Sequence, residues 1–187
     1  MFELFEKQAL RATEEYVQEV FSDEASGHDW WHIHRVRKMA LKLAETEGGN
    51  LFIIEMAALL HDIDDWKLNT ENSSKVSAWL KKLNINNLQS LLILEIINQV
   101  SFKGAGVENR ATTIEAKIVQ DADRLDALGA LGIARTFAYA GHKGHLMHNP
   151  ALAIRTEMTK EEYRNGESTA INHFYEKLLK LKDLMNT

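Results

Sequence analysis

The run LFIIEMAALL, residues 51–60, is the strongest constraint the chain carries. Ten residues of helix rise about 15 Å, and this stretch has almost no polar face to turn towards water. It must therefore run through the middle of a core. It leads directly into His61-Asp62-Ile63-Asp64-Asp65-Trp66-Lys67, where five residues of seven are polar or charged. Burying a charge without a partner costs several kcal/mol, so such groups are normally paired or bound to metal. About 100° of helical rotation separates His61 from Asp62, a splay that suits two ligands gripping one ion. Asp65 follows one turn after His61 and lies on the same face. The patch reads either as a solvated helix end or as the floor of a metal cleft, and the rest of the chain must decide.

Composition narrows the choice. At 187 residues, with 45% hydrophobic and 26% charged, the chain is expected to form one domain, residues 1–187, with a substantial core. A single proline and ten glycines leave little room for linkers. The 27 acidic against 22 basic residues give net charge −5, which argues against a phosphate-backbone surface, and no nucleic-acid partner is expected. There is no cysteine, which excludes disulfides, thiolate zinc sites and cysteine nucleophiles; any metal must be held by histidine and carboxylate. The N-terminus is acidic and amphipathic, unlike a secretory signal. No apolar stretch approaches the roughly 18 residues of a membrane span. A cytoplasmic location without membrane association is the expectation.

Apolar residues recur at helical spacing over residues 2–21 and from about 29 to 47, the latter capped by Asp29 or Ser26. Gly48-Gly49-Asn50 stops that helix, and the 51–62 helix follows at once, so the two are neighbours. Ser73 or Ser74 caps a short helix over 75–83. Residues 88–100, LQSLLILEIINQV, are apolar almost all round and are expected to form the most buried helix. Thr112 or Thr113 begins a helix that continues through the small residues up to Ala140. Residues 141–156 read as a long loop, and a last amphipathic helix is expected over about 167–185, with Ile171, Phe174, Leu178, Leu181 and Met185 inward. That helix nears Thr187 with no capping glycine, so the natural chain or the helix is expected to be longer. No strand-like alternation, internal repeat or low-complexity segment occurs. The fold is predicted to be all-α, a compact multi-helix bundle.

Two further stretches complete the pattern begun at His61: His28-Asp29-Trp30-Trp31-His32-Ile33-His34-Arg35-Val36-Arg37 and Asp121-Ala122-Asp123-Arg124-Leu125-Asp126. Each sets an imidazole or carboxylate beside arginine in an otherwise apolar helix. Two imidazoles with two carboxylates suit a divalent ion such as Mn²⁺, Fe²⁺, Co²⁺, Ni²⁺ or Mg²⁺. In this order, the H-x-x-R-V run at His32, the adjacent His61-Asp62 pair and Ala122-Asp123-Arg124-Leu125 resemble the HD-domain metal-dependent phosphohydrolases, in particular their small single-domain bacterial branch. The similarity covers roughly residues 26–180. It implies an HD-domain bundle with a motif core of about 26–130 and C-terminal helices from 131 packed on it. It also implies one divalent metal ion held by His32, His61, Asp62 and Asp123. Some members use a carboxylate just beyond the pair to orient or deprotonate the attacking water, and Asp65 matches that place. Asp64 would point elsewhere and is expected to be exposed. No histidine lies between Asp62 and Asp123, which points to a single metal and away from the two-metal subclasses.

The remaining candidates keep two readings each. Arg35 either binds phosphate or pairs with a buried carboxylate. Lys67 and Lys103 fall in loops that substrate phosphate could reach, or are plain surface lysines. Arg124 could offset phosphoryl charge. His34 lies about 200° around the helix from His32, so both cannot face one ion; His32 is chosen because it fits H-x-x-R-V. Asp121 and Asp123 are similarly opposed, so one of them orients a partner, and Asp126 could stand behind a ligand. His28 is a loop residue or supports a ligand. His142, His145 and His148 lie in a glycine-containing loop where their spacing fixes no geometry. His173 is a core or a cleft residue. The four tryptophans are mainly packing, with Trp66 a candidate wall for a base or sugar pocket.

The activity these features imply is hydrolysis of a phosphate ester in a nucleotide or another small phosphorylated metabolite by metal-activated water. The alternative is a non-catalytic sensor that binds such a metabolite. A homodimer is compatible with either.

Overall fold

The computed structural model describes residues 2–24, 26–64, 74–100, 111–159, 161–162 and 166–187. Among these, every regular element is a helix: α1 (Phe2–Val20), α2 (Trp30–Glu47), α3 (Leu51–Leu60), α4 (Lys75–Lys82), α5 (Asn87–Val100), α6 (Ile114–Asp126), α7 (Gly129–His142) and α8 (Ala170–Glu176). A 3₁₀ segment, Leu178–Leu184, follows. The fold is all-α, as the hydrophobic periodicity requires.

α3 is the axis of the bundle. Eight of its ten residues are buried, and it packs against α1, α2, α5 and α6. Burying each Leu or Ile side chain contributes about 1.5–3 kcal/mol, so this one helix supplies a large share of the driving force. Its only charged residue, Glu55, meets Arg37 Nε of α2 at 2.7 Å, and Arg37 reaches Glu14 of α1 at 2.9 Å. The charge inside the apolar helix thus ties three helices together. The turn into α3 works as the sequence suggests. Gly48 and Gly49 take left-handed φ of 80° and 93°, and the Asn50 side chain accepts from Ile53 N at 3.2 Å.

Three boundaries or burials differ from the sequence reading. α5 is not the most buried helix: Ile93, Ile96, Ile97 and Val100 face inward, whereas Leu88 and Leu91 are 69% and 66% exposed. With α3 already between four neighbours, α5 lies on its flank and has only one side to bury. The helix expected to run from Thr113 to Ala140 breaks after α6. Leu128 is extended (φ −107°, ψ 166°) and Gly129 has φ 64°. Gly132 lies so close to the Ala127 carbonyl that a Cβ there would overlap it, so glycine is what lets α7 turn over the end of α6. The last helix is also shorter than expected. Thr169 caps α8 by accepting from Asn172 N at 3.0 Å, and the α-helix ends at Lys177 (φ −135°). A 3₁₀ turn then aligns Leu178 with Leu181, three residues on, and both are buried.

The stretch 141–156 is non-helical beyond His142, as expected. Asp64 corrects another expectation, because it is half-buried rather than exposed. It accepts from Ser74 Oγ at 2.6 Å and from the Lys75 and Val76 amides at 2.8 and 3.2 Å, closing the start of α4.

Candidate metal centre

Four ligand-type side chains surround the His32 Nε2 atom, and the groups close enough to hold an ion form two triads that share it, His32-His61-Asp123 and His28-His32-Asp62. Asp29 caps α2 by accepting from His32 N at 2.8 Å, which starts the helix so that His32 points fully inward. His61 and Asp62 continue from the buried end of α3, and Asp123 projects from α6. His32 Nε2 lies 3.3 Å from His61 Nε2, 3.4 Å from Asp62 Oδ2 and 3.5 Å from Asp123 Oδ1. His61 Nε2 lies 3.5 Å from Asp62 Oδ1 and 3.8 Å from Asp123 Oδ1. Ligands held about 2.1 Å from a common ion, at angles of 90–110°, stand about 3.0–3.4 Å apart. The observed spacings approach that range.

The outward hydrogen bonds show that these atoms fit an ion. His61 Nδ1 lies 2.9 Å from the Ala58 carbonyl, which can only accept, so Nδ1 carries the proton and Nε2 presents a lone pair. His32 Nδ1 lies 2.7 Å from Asp126 Oδ2, with the same consequence. Two nitrogen lone pairs and two carboxylates then converge on a buried point, an arrangement that calls for a cation between them. A carboxylate or carbonyl behind each imidazole is the usual support for a metal-binding histidine.

Charge distribution follows the same pattern. Without an ion, protons on the imidazoles stand in for it: burial pushes Asp62 up, but charge on His61 and hydrogen bonds from His28 and His32 outweigh it and hold the carboxyl well below its usual range. Burial also raises Asp126, and hydrogen bonds from His32 and Arg35 more than offset this. For His32, again without an ion, burial opposes the cation, but bonds to Asp126 and Asp62 bring its pKa above the ordinary imidazole value; a bound ion would displace the proton from Nε2. Asp123 is the ligand-type residue open to solvent, with 30% of its side chain exposed, so approach to the site lies on its side.

The other candidates fall in definite places. Arg35 takes the pairing role: Nε and Nη2 donate to the two Asp126 oxygens at 2.6 and 3.1 Å. Arg124 does not turn towards the four residues. It is buried against the C-terminal segment, where Nη1 donates to the Leu184 carbonyl, and it lies 3.6 Å from Asp121. Asp121 receives the Asn186 and Thr187 amides, both at 2.8 Å, so of the opposed aspartates it is Asp123 that faces the site. His28, half-buried at the rim, meets Asp62 Oδ2 at 3.1 Å. His34 sits beside the Trp30 and Trp31 rings, away from the cluster. His142, His145 and His148 are exposed and belong to neither triad able to hold a metal among the described residues, His32-His61-Asp123 and His28-His32-Asp62. Asp65, Trp66, Lys67 and Lys103 lie outside the described residues.

One residue at this site escaped the sequence reading. Arg135 of α7 donates through Nη1 to Asp126 Oδ2 at 2.9 Å and through Nε to the Gly27 carbonyl at 2.6 Å. Its signal was present, since it is the only charged residue in the small, apolar run Gly129–Ala140.

Comparison with known proteins agrees with the geometry. Residues 30–128 match the sequence model of the HD domain. The Bacillus subtilis protein YpgQ is 40% identical over 191 residues, covering 100% of this chain and 84% of YpgQ. A crystal structure from Lactobacillus plantarum superposes with TM-score 0.88 at 42% identity, covering 95% of this chain and 84% of that one. An HD-superfamily hydrolase from Bacillus thuringiensis is 49% identical with TM-score 0.68, covering 97% and 85% of the two chains. The structure of YpgQ in complex with ADP gives TM-score 0.71 at 39% identity, covering 95% and 84%. Among the described residues, no helix is long and apolar enough to cross a membrane. The chain belongs to the HD-domain family.

Proposed function

We propose that this protein is a metal-dependent phosphohydrolase that cleaves a phosphate ester of a nucleotide or another small phosphorylated metabolite. The observation that carries the reading is the convergence of His32, His61, Asp62 and Asp123, with both imidazoles turned by outward hydrogen bonds so that Nε2 faces the others. These four residues would hold one divalent ion. When bound, such an ion polarises a phosphoryl oxygen and lowers the pKa of a coordinated water. The chain's own groups do the rest. Asp126 and the Ala58 carbonyl keep the two imidazoles in the ligating tautomer. Burial of three of the four side chains keeps bulk water from the ligand set, while partial exposure of Asp123 leaves an entrance. α3 ends at Leu60, two residues before the expected end, so Asp65 is assigned by its sequence position four residues after His61 alone, as the group that would receive the proton of the attacking water; Lys67 and Lys103 would supply positive charge for the phosphate. The water oxygen forms a bond to phosphorus, the ester P–O bond breaks, and the leaving oxygen takes a proton.

The ADP complex of YpgQ supports a nucleotide as the ligand class here. Phosphate release from a panel of nucleotides and sugar phosphates, with Mn²⁺, Co²⁺, Ni²⁺ or Mg²⁺, tests the proposal. Turnover that requires metal and vanishes in Asp62→Ala is the expected result. Asp62→Ala that loses its metal yet keeps full activity would refute the proposal. Tight nucleotide binding without turnover under any metal would favour a sensor instead.

A further inference from the structure

α7 is held to the bundle in an uncommon way for a helix of this length. Of its fourteen residues, Gly132 and Ala140 are buried, while Leu131 and Ile133 are about half exposed. Apolar burial therefore anchors it weakly. Its polar ties run towards the ligand set instead. Arg135 Nη1 and His32 Nδ1 share the same oxygen, Asp126 Oδ2, at 2.9 and 2.7 Å. Arg135 Nε holds the Gly27 carbonyl, immediately before His28, whose Nδ1 lies 3.1 Å from Asp62 Oδ2. Tyr139, one turn beyond Arg135, meets the His28 ring edge-on with centroids 5.9 Å apart. Gly27 has φ 92°, and a Cβ there would stand 3.3 Å from Arg135 Cβ, so the loop approaches α7 this closely because the residue is glycine.

We propose that Arg135 is a positioning residue that couples occupancy of the metal site to the docking of α7; the inference rests on the metal reading given above. One guanidinium braces two routes, each ending on a different ligand. Through Asp126 it fixes the rotation of the His32 ring, and through Gly27 and His28 it fixes Asp62. Coupling of this kind is reciprocal. If a docked α7 raises metal affinity, a bound metal stabilises docked α7 by the same factor. Lysine keeps the charge but cannot span both acceptors as the planar fork does, so it fails the role in part.

The test uses the full chain as wild type, Arg135→Lys and Arg135→Met. Mn²⁺ affinity is measured by competition with a chromophoric chelator. Amide hydrogen exchange across residues 129–142 is followed with and without Mn²⁺. Mn²⁺ is expected to slow exchange in α7 of the wild type, and Arg135→Met is expected to bind Mn²⁺ about 10–100-fold more weakly, the usual cost of losing support behind a ligand. The metal-dependent protection should disappear with it, and Arg135→Lys should fall between. A merely structural arginine would instead speed α7 exchange equally with and without metal and leave affinity unchanged. That outcome, or a wild-type α7 indifferent to Mn²⁺, overturns the inference and leaves the metal reading standing. A wild type that binds none of Mn²⁺, Co²⁺, Ni²⁺ and Mg²⁺ removes both. Should Arg135→Met fail to fold, the wild-type exchange comparison and the Arg135→Lys affinity still decide.

Discussion

Replacing Asp126 with asparagine keeps the side-chain shape and removes one charge from behind the ligand set. The carboxylate accepts four hydrogen bonds: Arg35 Nε at 2.6 Å on one oxygen, and His32 Nδ1, Arg35 Nη2 and Arg135 Nη1 at 2.7, 3.1 and 2.9 Å on the other. An amide cannot serve both sides. With its NH₂ on the crowded side it confronts three donors, and turned over it confronts Arg35 Nε. Loss of the group that orients a metal-binding histidine typically weakens metal affinity 10–100-fold, or about 1.4–2.8 kcal/mol. The fold suffers separately. Removing one partner of a fully buried ion pair costs about 3–5 kcal/mol. Arg35 keeps 32% and Arg135 16% of its side chain exposed, so water recovers part of that. A loss of about 2–3 kcal/mol in the metal-free protein is expected after this discount. Urea denaturation without metal reads the second quantity, and chelator competition on the folded variant reads the first. An Asp126→Asn protein with wild-type Mn²⁺ affinity and an unmoved urea midpoint would refute the reasoning, because His32 would then be held by something other than this carboxylate.

Three further outcomes follow from residues outside the metal centre. Glu176 is buried, and although burial raises its pKa, hydrogen bonds from Arg155 and Ser168 bring it below the ordinary 4.5. Its folded pKa is depressed, so its stabilising contribution is present above the unfolded value and is lost as pH falls through the folded one. Urea midpoints measured at about pH 5 and about pH 3 should therefore fall more for wild type than for Glu176→Gln, and parallel losses would exclude this carboxylate as a source. Asp64→Ala removes the group that accepts from Ser74 and the first amides of α4, and should cost about 1–2 kcal/mol by thermal or urea unfolding. No loss would mean that Ser74 alone, through its bond from Ser77 N, suffices to start the helix. On α5, Ile93→Ala should cost about 2–5 kcal/mol, whereas Leu91→Gln on the outer face should stay within about 0.5 kcal/mol. Equal losses would contradict the assignment of its two faces.

The candidate ligands were legible through the resemblance to the HD-domain pattern, to which the residues alone added a local signal. Charge at the end of an apolar helix is costly if buried, so His61 and Asp62 raised the question of a metal cleft without excluding a solvated helix end. Helical rotation then separates His32 from His34 and Asp123 from Asp121, and the structure turns His32 and Asp123 towards His61 while His34 and Asp121 point elsewhere. The capping residues Asp29, Ser74 and Thr113 were each readable as one of two candidates, since each bonds to an amide only three residues on; Asn50, read only as part of a helix stop, proves to cap α3 in the same way. What failed depended on partners distant in sequence. α5 and α3 are both strongly apolar, and nothing within either states which will be surrounded; that is settled by how α1, α2 and α6 close around α3. The break at Leu128 is the exception, a local feature: it rests on Gly129 at positive φ and on Gly132 passing the Ala127 carbonyl, which the run of small residues masks.

Arg135 and Arg35 show where the local rule could have been carried further. A lone arginine in an apolar run raises the same question as His61 does, and both questions are answered by the same carboxylate. Asp126 carries one negative charge against two guanidiniums, with an imidazole N–H added. Two cations on one carboxylate make it a weak base, so it orients the His32 proton without removing it. A single arginine would leave Asp126 more basic and His32 more strongly polarised. The paired arginines would therefore temper how much electron density the imidazole offers at Nε2, besides fixing where it points. On this argument, separate substitution of Arg35 or Arg135 by methionine should alter Mn²⁺ affinity even where His32 keeps its position, and a crystal structure beside each affinity would separate the two effects.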